Sequence, residues 1–379
     1  MVNATRRVRI PSLSANILHF QLTSRNVDRE ASQQTIPDLL KVQGESARKP
    51  LLSEEGAVST AASEVEGSRL GIIARNFAVG ISPMRICGRD VRIEGTLIRI
   101  ARHEGEKYKF LDDPEPVLNG LRNCGRRVDL FTFMQRLPET SPKYPYPWEW
   151  DNLAVLPVST FEHWFTHQIG FKARNKAKQA EKKGVTLREV PFDNSLVLGI
   201  SRIYNESPVR QGRRFPHFGE DLQTVYSEHA TYPDSSIFIG AFFAGELIGF
   251  VKLVCDETRT QAGMMNIVSM IRHRDKAPSN ALIVQAVRAC AERGIRFLVY
   301  SNFAYAIRKT SGLSDFKERN GFKQVNLPRY YVPLTRLGAV AFRWGLHRRL
   351  VEHLPEPFVT RAREFRAAWY SRKLQDAWE

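Results

Sequence analysis

Cysteine is scarce in this 379-residue chain: Cys87, Cys124, Cys255 and Cys290 are the only four. None stands in C-x-x-C or metal-ligand spacing, which argues against a zinc ribbon, a dithiol redox centre or a disulfide scaffold. Cys290 falls on an apolar helical face and reads as a packed thiol, and a reducing, cytoplasmic setting is expected. His163 and His167 stand i, i+4, but no suitable third ligand is near them, so no metal is expected. There is no apolar run of about 18 residues and hence no expected transmembrane helix. Arg6, Arg7 and Arg9 precede an apolar stretch, but Pro11, Ser12, Ser14 and Asn16 interrupt it, which makes a poor secretory signal. Acid is also short, with 40 Asp and Glu against 56 Lys and Arg, a formal charge of +16. That balance favours anionic partners: phosphate-rich cofactors, nucleic acid or an anionic membrane surface.

The composition, 42% hydrophobic and 10% aromatic, is that of an ordinary globular protein. Residues 1–83 lack sustained periodicity, and 43–68 are rich in Ser, Ala, Gly and Glu, so this part is expected to be mostly disordered. The acid-poor residues 1–25 also fit a transit peptide. Met84 precedes the first convincing strand, so the upstream part fits a misassigned start as well. Order is expected from about Arg85. Residues 91–101 read as a strand, 114–123 as a helix and 128–135 as a strand. Pro138, Pro142, Pro145 and Pro147 then forbid a helix in a turn-rich aromatic segment ending at Trp150.

Thr160 is an expected N-cap for one helix running to about Lys183, stopped by Gly184. Its last turns carry Lys172, Arg174, Lys176, Lys178, Lys182 and Lys183 against a single Glu181. Downstream come a strand over 185–190, helices over 195–206 and 221–229, and a hairpin of 237–244 and 247–254 around Gly245-Glu246. A further antiparallel strand spans 263–270. Pro278-Ser279-Asn280 starts a helix whose apolar side is Leu282, Ile283, Ala286, Val287 and Cys290, stopped by Gly294. A buried strand over 295–301 follows, then a short helix over 313–320 closed by Gly321-Phe322, and a last strand from Tyr330. Beyond Thr335 lies a basic amphipathic tail with Leu337, Val340, Ala341, Trp344 and Leu350 on one side. Pro355 and Pro357 divide it from a final helix over 359–378. No repeat of fixed period is present, although 85–160 is compatible with a degenerate copy of the main domain.

Helix, strand, short helix ending in Gly-Phe, then strand resembles the second half of an N-acyltransferase (GNAT) domain. The resemblance spans 185–335 well and 85–184 loosely. It is nearer the FemA/FemB-like branch, which contains peptidoglycan-bridge aminoacyltransferases. The residues that carry it are Arg174-Asn175-Lys176 with Lys182-Lys183-Gly184-Val185, then Ala277-Pro278, then Leu313-Ser314-Asp315-Phe316-Lys317. It implies an α/β (α+β) fold with a mixed, mainly antiparallel central sheet flanked by helices. An additional N-terminal α/β subdomain (84–184), the main domain (185–335) and a basic helical C-terminal tail (336–379) would complete it. It also implies N-acyl transfer from acetyl-CoA or another acyl-CoA to an amine-bearing small molecule or peptide. The branch implies a variant using aminoacyl-tRNA, with the basic run 172–183 as phosphate contacts. A non-catalytic module binding nucleic acid or an anionic membrane is the reading from another class.

Two departures from the family pattern matter. Where acyl-CoA users carry Arg/Gln-x-x-Gly-x-Gly/Ala, whose N–H groups hold a pyrophosphate at a helix start, this chain has Arg274-Asp275-Lys276-Ala277-Pro278-Ser279. Pro278 removes a donor and Asp275 adds negative charge, while Arg272, Arg274 and Lys276 offer direct ion pairing, with Ser279 and Asn280 opening the helix. At the position where many acetyltransferases hold a Tyr acid stands Lys317, which either stabilises the departing thiolate or is a solvated helix residue.

Acyl transfer to an amine needs a base, oxyanion stabilisation and a donor site, and backbone N–H groups of a parted strand serve the oxyanion. The absence of a G-x-S-x-G elbow is therefore uninformative here. Candidate bases lie in the segment from Tyr204 to His217: Glu206 and His217, with Arg210 and Arg213 as candidate substrate contacts. Alternatively Glu206 pairs with an arginine to hold the loop and His217 packs on Phe218. Tyr300 and Asn302 close the strand that faces the helix-start crevice, Tyr300 as a catalytic candidate or a buried ring, Asn302 as a substrate contact.

Overall fold

The computed structural model describes residues 81–210, 213–304 and 312–348. The expectation of disorder over the N-terminal segment and the final helix over 359–378 lie outside these residues. Thirteen strands, β1 to β13, and eight helices, α1 to α8, are described. No described helix is long and apolar enough to cross a membrane.

Eleven strands form one sheet in the order β1-β2-β3-β4-β13-β5-β12-β11-β10-β9-β6. The first half supplies β1 (Ile81–Ile86), β2 (Arg89–Glu94), β3 (Ile100–His103), helix α1 (Glu115–Asn123), β4 (Leu130–Met134) and β5 (Trp148–Pro157). The second half opens with β6 (Thr186–Val190), α4 (Asn194–Tyr204) and α5 (Leu222–His229). It continues through β9 (Ser236–Phe243), β10 (Glu246–Cys255), β11 (Gln261–Ser269), α6 (Pro278–Glu292), β12 (Phe297–Asn302), α7 (Gly312–Arg319) and β13 (Lys323–Pro333). A separate two-stranded ribbon pairs β7 (Val209–Arg210) with β8 (Arg213–Arg214).

Both halves contain three antiparallel strands, a helix, a parallel strand and a last strand, β1-β2-β3-α1-β4-β5 and β9-β10-β11-α6-β12-β13, and the second half adds β6, α4 and α5 before this run and α7 ahead of β13. In each, the helix crosses to a parallel neighbour, β3 to β4 and β11 to β12, while the other pairings are antiparallel. The halves exchange their last strands: β5 lies against β12, and β13 lies between β4 and β5. Segments 84–184 and 185–335 are therefore interlocked through one sheet.

Local chemistry explains the element ends. Asp193 caps α4 through the Leu196 N–H at 2.8 Å, and Asp221 caps α5 through the Thr224 N–H at 2.8 Å. Gly321 has φ +88°, and a Cβ there would meet the Gln168 carbonyl oxygen at 3.0 Å and Trp164 Nε1 at 3.2 Å. Only glycine suits that turn, and it seats Phe322, 1% exposed, beneath the sheet. Trp164 is fully buried and donates from Nε1 to the Asn320 carbonyl at 3.1 Å.

Several expected spans are corrected. The single helix from Thr160 to Lys183 is broken into a short turn, α2 (Phe161–His163), a π-turn (Trp164–Gln168), and α3 (Phe171–Lys182). Ile169 and Gly170 are extended between them, because Trp164 and Ile169 both turn inward there and the Gly170 N–H donates to the Arg319 carbonyl at 2.8 Å. The strand expected over 91–101 is two strands with a turn at Gly95, φ +92°. Order begins upstream of Met84, which sits inside β1 and faces Val91 across the β1–β2 pair.

Candidate functional site

The parallel pair β11–β12 joins only Gln261, Ala262 and Gly263 to Phe297, Leu298 and Val299. Beyond Gly263, β11 runs on to Ser269 paired with β10 alone, and beyond Val299, β12 turns toward β5 at Asn302. The sheet is parted there. In β11 the register slips by one residue, since Leu253 faces Met264 but Lys252 faces Asn266, so Met265 is an extra, bulged residue at the mouth of the parting. A bulge re-aims backbone N–H groups away from the ladder.

The connection from β11 to α6 closes the far end of the parting. Arg274–Lys276 form a 3-10 turn, Ala277 adopts the left-handed conformation at φ 52°, and Pro278 starts α6 without contributing an N–H. The Ser269 and Ser279 hydroxyls bond at 2.8 Å, tying strand end to helix start. Arg274 is exposed. Arg272 is 54% exposed in its side chain and pairs with Glu246. The Lys276 ammonium lies 4.5 Å from the Phe243 ring centre and 3.4 Å from Asp275. Asp275 also takes Lys183 of the α3 terminus at 3.1 Å. Of the expected donor contacts, then, Arg274, Ser279 and Asn280 border the helix start directly, while Arg272 and Lys276 are shared with local acidic groups. Asn280 donates its backbone N–H to Ala277.

Glu206, a candidate base, is held by backbone and by Arg210, as the alternative of a loop-holding pair expects. Its carboxylate accepts the N–H of Ile271 at 2.6 Å, that of Arg272 at 2.9 Å and Arg210 at 3.2 Å. It clamps the connection between β11 and α6. Arg210 likewise holds backbone, donating to the Ser269 carbonyl at 2.7 Å and the Ile203 carbonyl at 2.5 Å, with its guanidinium over Phe215. The Arg213 side chain lies outside the described residues.

His217, 1% exposed, sits in a cluster with residues of α4 and α5. Nδ1 lies 3.0 Å from Glu220 and 3.3 Å from Glu228, and the ring stacks on Tyr204 at 4.6 Å. Burial disfavours its charged form, but the two carboxylates outweigh that and raise its pKa. The ligand atoms of His217, Glu220 and Glu228 lie within 4.8 Å of one another, so these residues are the one described set with the spacing to hold a cation. Tyr204 bonds His229 Nε2 at 3.0 Å, and beside it the buried Lys252 donates to the carbonyls of His229 and Thr231. Burial pushes the Lys252 ammonium down to about 7.

Tyr300, Asn302 and Lys317 do come together, on the parted end of β12. Lys317 is fully buried, donates to the Asn302 carbonyl, and stands 4.6 Å over the Tyr300 ring. Its pKa is pushed down to about 7 by burial and then by Lys107. The solvated-helix alternative for Lys317 is thereby removed. Tyr300 packs edge-on against Phe322 at 5.9 Å, and burial raises its hydroxyl pKa.

Sequence reasoning missed the other half of this cluster. Lys107, from the β3–α1 loop, donates to the Ser301 hydroxyl at 3.1 Å and to Asn302 Oδ1 at 3.5 Å. Burial lowers its pKa to about 8, with Asp151 opposing. Asn302 Nδ2 donates to Asp151 at 2.7 Å, Arg329 bridges Asp151 at 3.1 Å and Glu106 at 2.8 Å, and all three are nearly buried. Ser301 has φ 48°, a strained conformation for a residue with a Cβ, at the point where β12 leaves β11. The beginning of the first half and the end of the second thus meet at the parting.

No protein-family model and no curated protein matches the chain. Solved structures similar to it include the DUF2156 C-terminal domain from Agrobacterium fabrum, at 14% identity and a TM-score of 0.47, covering 74% of this chain and 95% of that one. The structure of L-PGS from Bacillus licheniformis is similar at 14% identity and a TM-score of 0.46, covering 76% and 97%. FemX is similar at 9% identity and a TM-score of 0.42, covering 63% and 83%.

Proposed function

We propose that the protein is an N-acyltransferase that moves an acyl group from a phosphate-bearing carrier to an amine at the parting of β11 and β12. The observation that carries this reading is the parting itself. An unpaired, bulged strand edge borders a helix start on one end and a buried lysine at the end of β12 on the other. An acyl carbonyl laid along the edge of β11 would receive backbone N–H groups as its oxygen gains charge, which needs no side-chain nucleophile. Arg274, with Ser279 and Asn280 at the start of α6, would meet the carrier's phosphates, and Lys276 would join them by leaving Asp275. Lys317 would lend positive charge to the departing thiolate or ribose oxygen. Glu206 and Arg210 position the donor loop. Transfer balances as one new C–N bond, one broken C–S or C–O bond, and one proton passed from the amine to the leaving group.

An acyl-CoA is the first reading of the carrier. One observation favours an aminoacyl ester of tRNA instead: the exposed lysines Lys172, Lys176 and Lys182 of α3 run up to Lys183, which contacts Asp275 of the donor loop. A polynucleotide could lie along that face. Isothermal titration with acetyl-CoA and with an aminoacylated tRNA acceptor stem, at several salt concentrations, separates the carriers. The tRNA reading predicts log–log slopes of about −0.7 to −0.9 per phosphate neutralised. Absence of binding by either carrier would refute both.

A further inference from the structure

The segment after Thr335 is a helix, α8 (Arg336–Arg343), that leaves part of its apolar side exposed. Its fully buried residues are small, Gly338 and Ala341. A Cβ on Gly338 would fall 1.8 Å from the Asp129 carbonyl oxygen, so the helix backbone itself rests on the start of β4. Phe342 packs against Tyr331 at 5.6 Å and His347 at 5.1 Å, whereas the remaining large apolar side chains face out. Leu337 is 36% exposed, Val340 44% and Trp344 70%, and Leu346 just beyond is 50% exposed. At about 100° per residue Leu337, Val340 and Trp344 form one strip, with Arg336 and Arg343 along its border.

A second element reaches the same end of the molecule. Leu97, in the β2–β3 turn, is 76% exposed. Its carbonyl accepts Arg127 at 3.0 Å, Arg127 pairs with Asp129 at 3.0 Å, and Asp129 accepts the Thr335 hydroxyl at 2.7 Å. The exposed Leu97, Arg126 and Arg127 are therefore tied to the start of α8. Large apolar groups bordered by guanidinium groups match the boundary between acyl chains and anionic headgroups, where a Trp ring and arginine stems are each half-wetted.

We propose that α8 and the Leu97 turn seat the protein on the surface of an anionic lipid bilayer. The contact is peripheral, and it does not depend on the acyl-transfer reading. The test is flotation of the full chain with vesicles of phosphatidylglycerol and phosphatidylcholine, and with phosphatidylcholine alone, at low and high salt. The protein should float with the anionic vesicles, and high salt should weaken this. Arg336→Glu with Arg343→Glu should lower partitioning by about tenfold or more, and Leu337→Ser with Trp344→Ser comparably. Both variants should keep the wild-type circular dichroism and melting temperature. No flotation, or flotation that neither double variant reduces, would overturn the proposal. So would a concentration-dependent dimer lost in Trp344→Ser without lipid binding, because a second copy would then be what covers the strip. Transfer to a soluble amine, measured in parallel, should be unchanged in both variants, so failure of the docking surface and failure of the transferase reading are separately visible.

Discussion

Replacing Lys317 with methionine should make the protein more stable and less active. The ammonium is fully buried and its pKa is pushed from 10.5 to about 7, first by burial and then by Lys107. A depression of that size corresponds to roughly 5 kcal/mol of differential stabilisation between the protonation states. Near neutral pH the folded protein carries most of this cost, because an unfolded lysine would keep its proton. Methionine fills similar volume without the charge, but it forfeits the ammonium's bond to the Asn302 carbonyl and leaves that buried acceptor unpaired, a loss of roughly 2–3 kcal/mol. A net gain of roughly 2–3 kcal/mol, or about 5 °C in Tm, is expected. Since the folded pKa is the lower one, wild-type stability should rise with pH from about 7 toward 10.5 as the unfolded chain gives up its proton. The Lys317→Met advantage should be full at and below about pH 7 and should vanish by 10.5. Urea denaturation across that range measures it, and turnover with saturating donor should fall by about tenfold or more if the charge serves the leaving group. A variant no more stable than wild type, with a gap that ignores pH, would refute the reasoning.

Glu206→Ala should cost roughly 2–3 kcal/mol and weaken donor binding, because the N–H groups of Ile271 and Arg272 lose their acceptor; denaturation and titration with the carrier check the two effects. Arg329→Met should be strongly destabilising, about 3–5 kcal/mol, since Glu106 and Asp151 would be left buried without their cation, and acidification should narrow the deficit in denaturation experiments. His217 has a raised pKa, so its stabilisation is fully present below 6.5 and is lost as pH rises through the folded value. The stability gap between wild type and His217→Asn should therefore shrink as pH is raised.

The second half of the fold was legible because its signals are local. The hairpin turns at Gly245, α6 starts at a proline and stops near Gly294, and Gly321-Phe322 is a turn only glycine can make, beside a ring the core absorbs. The helix expected from Thr160 to Lys183 failed because Trp164 and Ile169 demand burial on a path that a continuous helix cannot follow. Tyr300 and Asn302 were singled out from one strand end and Lys317 separately from the next helix, and the structure brings the three together. Lys107, Asp151 and Arg329 were not singled out, because they meet only through the exchange of β5 and β13, with Arg329 178 residues from Asp151 and 223 from Glu106. Glu206 and Arg210 have the residue types of a base and a substrate contact, and only their backbone partners reveal a clamp. Of the tail's apolar side Ala341 is buried, beside Gly338 and Phe342, while Leu337, Val340 and Trp344 face out.

The central claim, acyl transfer at the parted edge of β11, is tested most directly by following carrier release. The wild type and Lys317→Met would be incubated with acetyl-CoA or aminoacyl-tRNA and a mixture of amines, with products read by mass spectrometry. The account predicts an N-acylated amine formed in step with free carrier by the wild type, and at least tenfold less by the variant. No acylated amine from either carrier, or equal turnover by the two proteins, would contradict it.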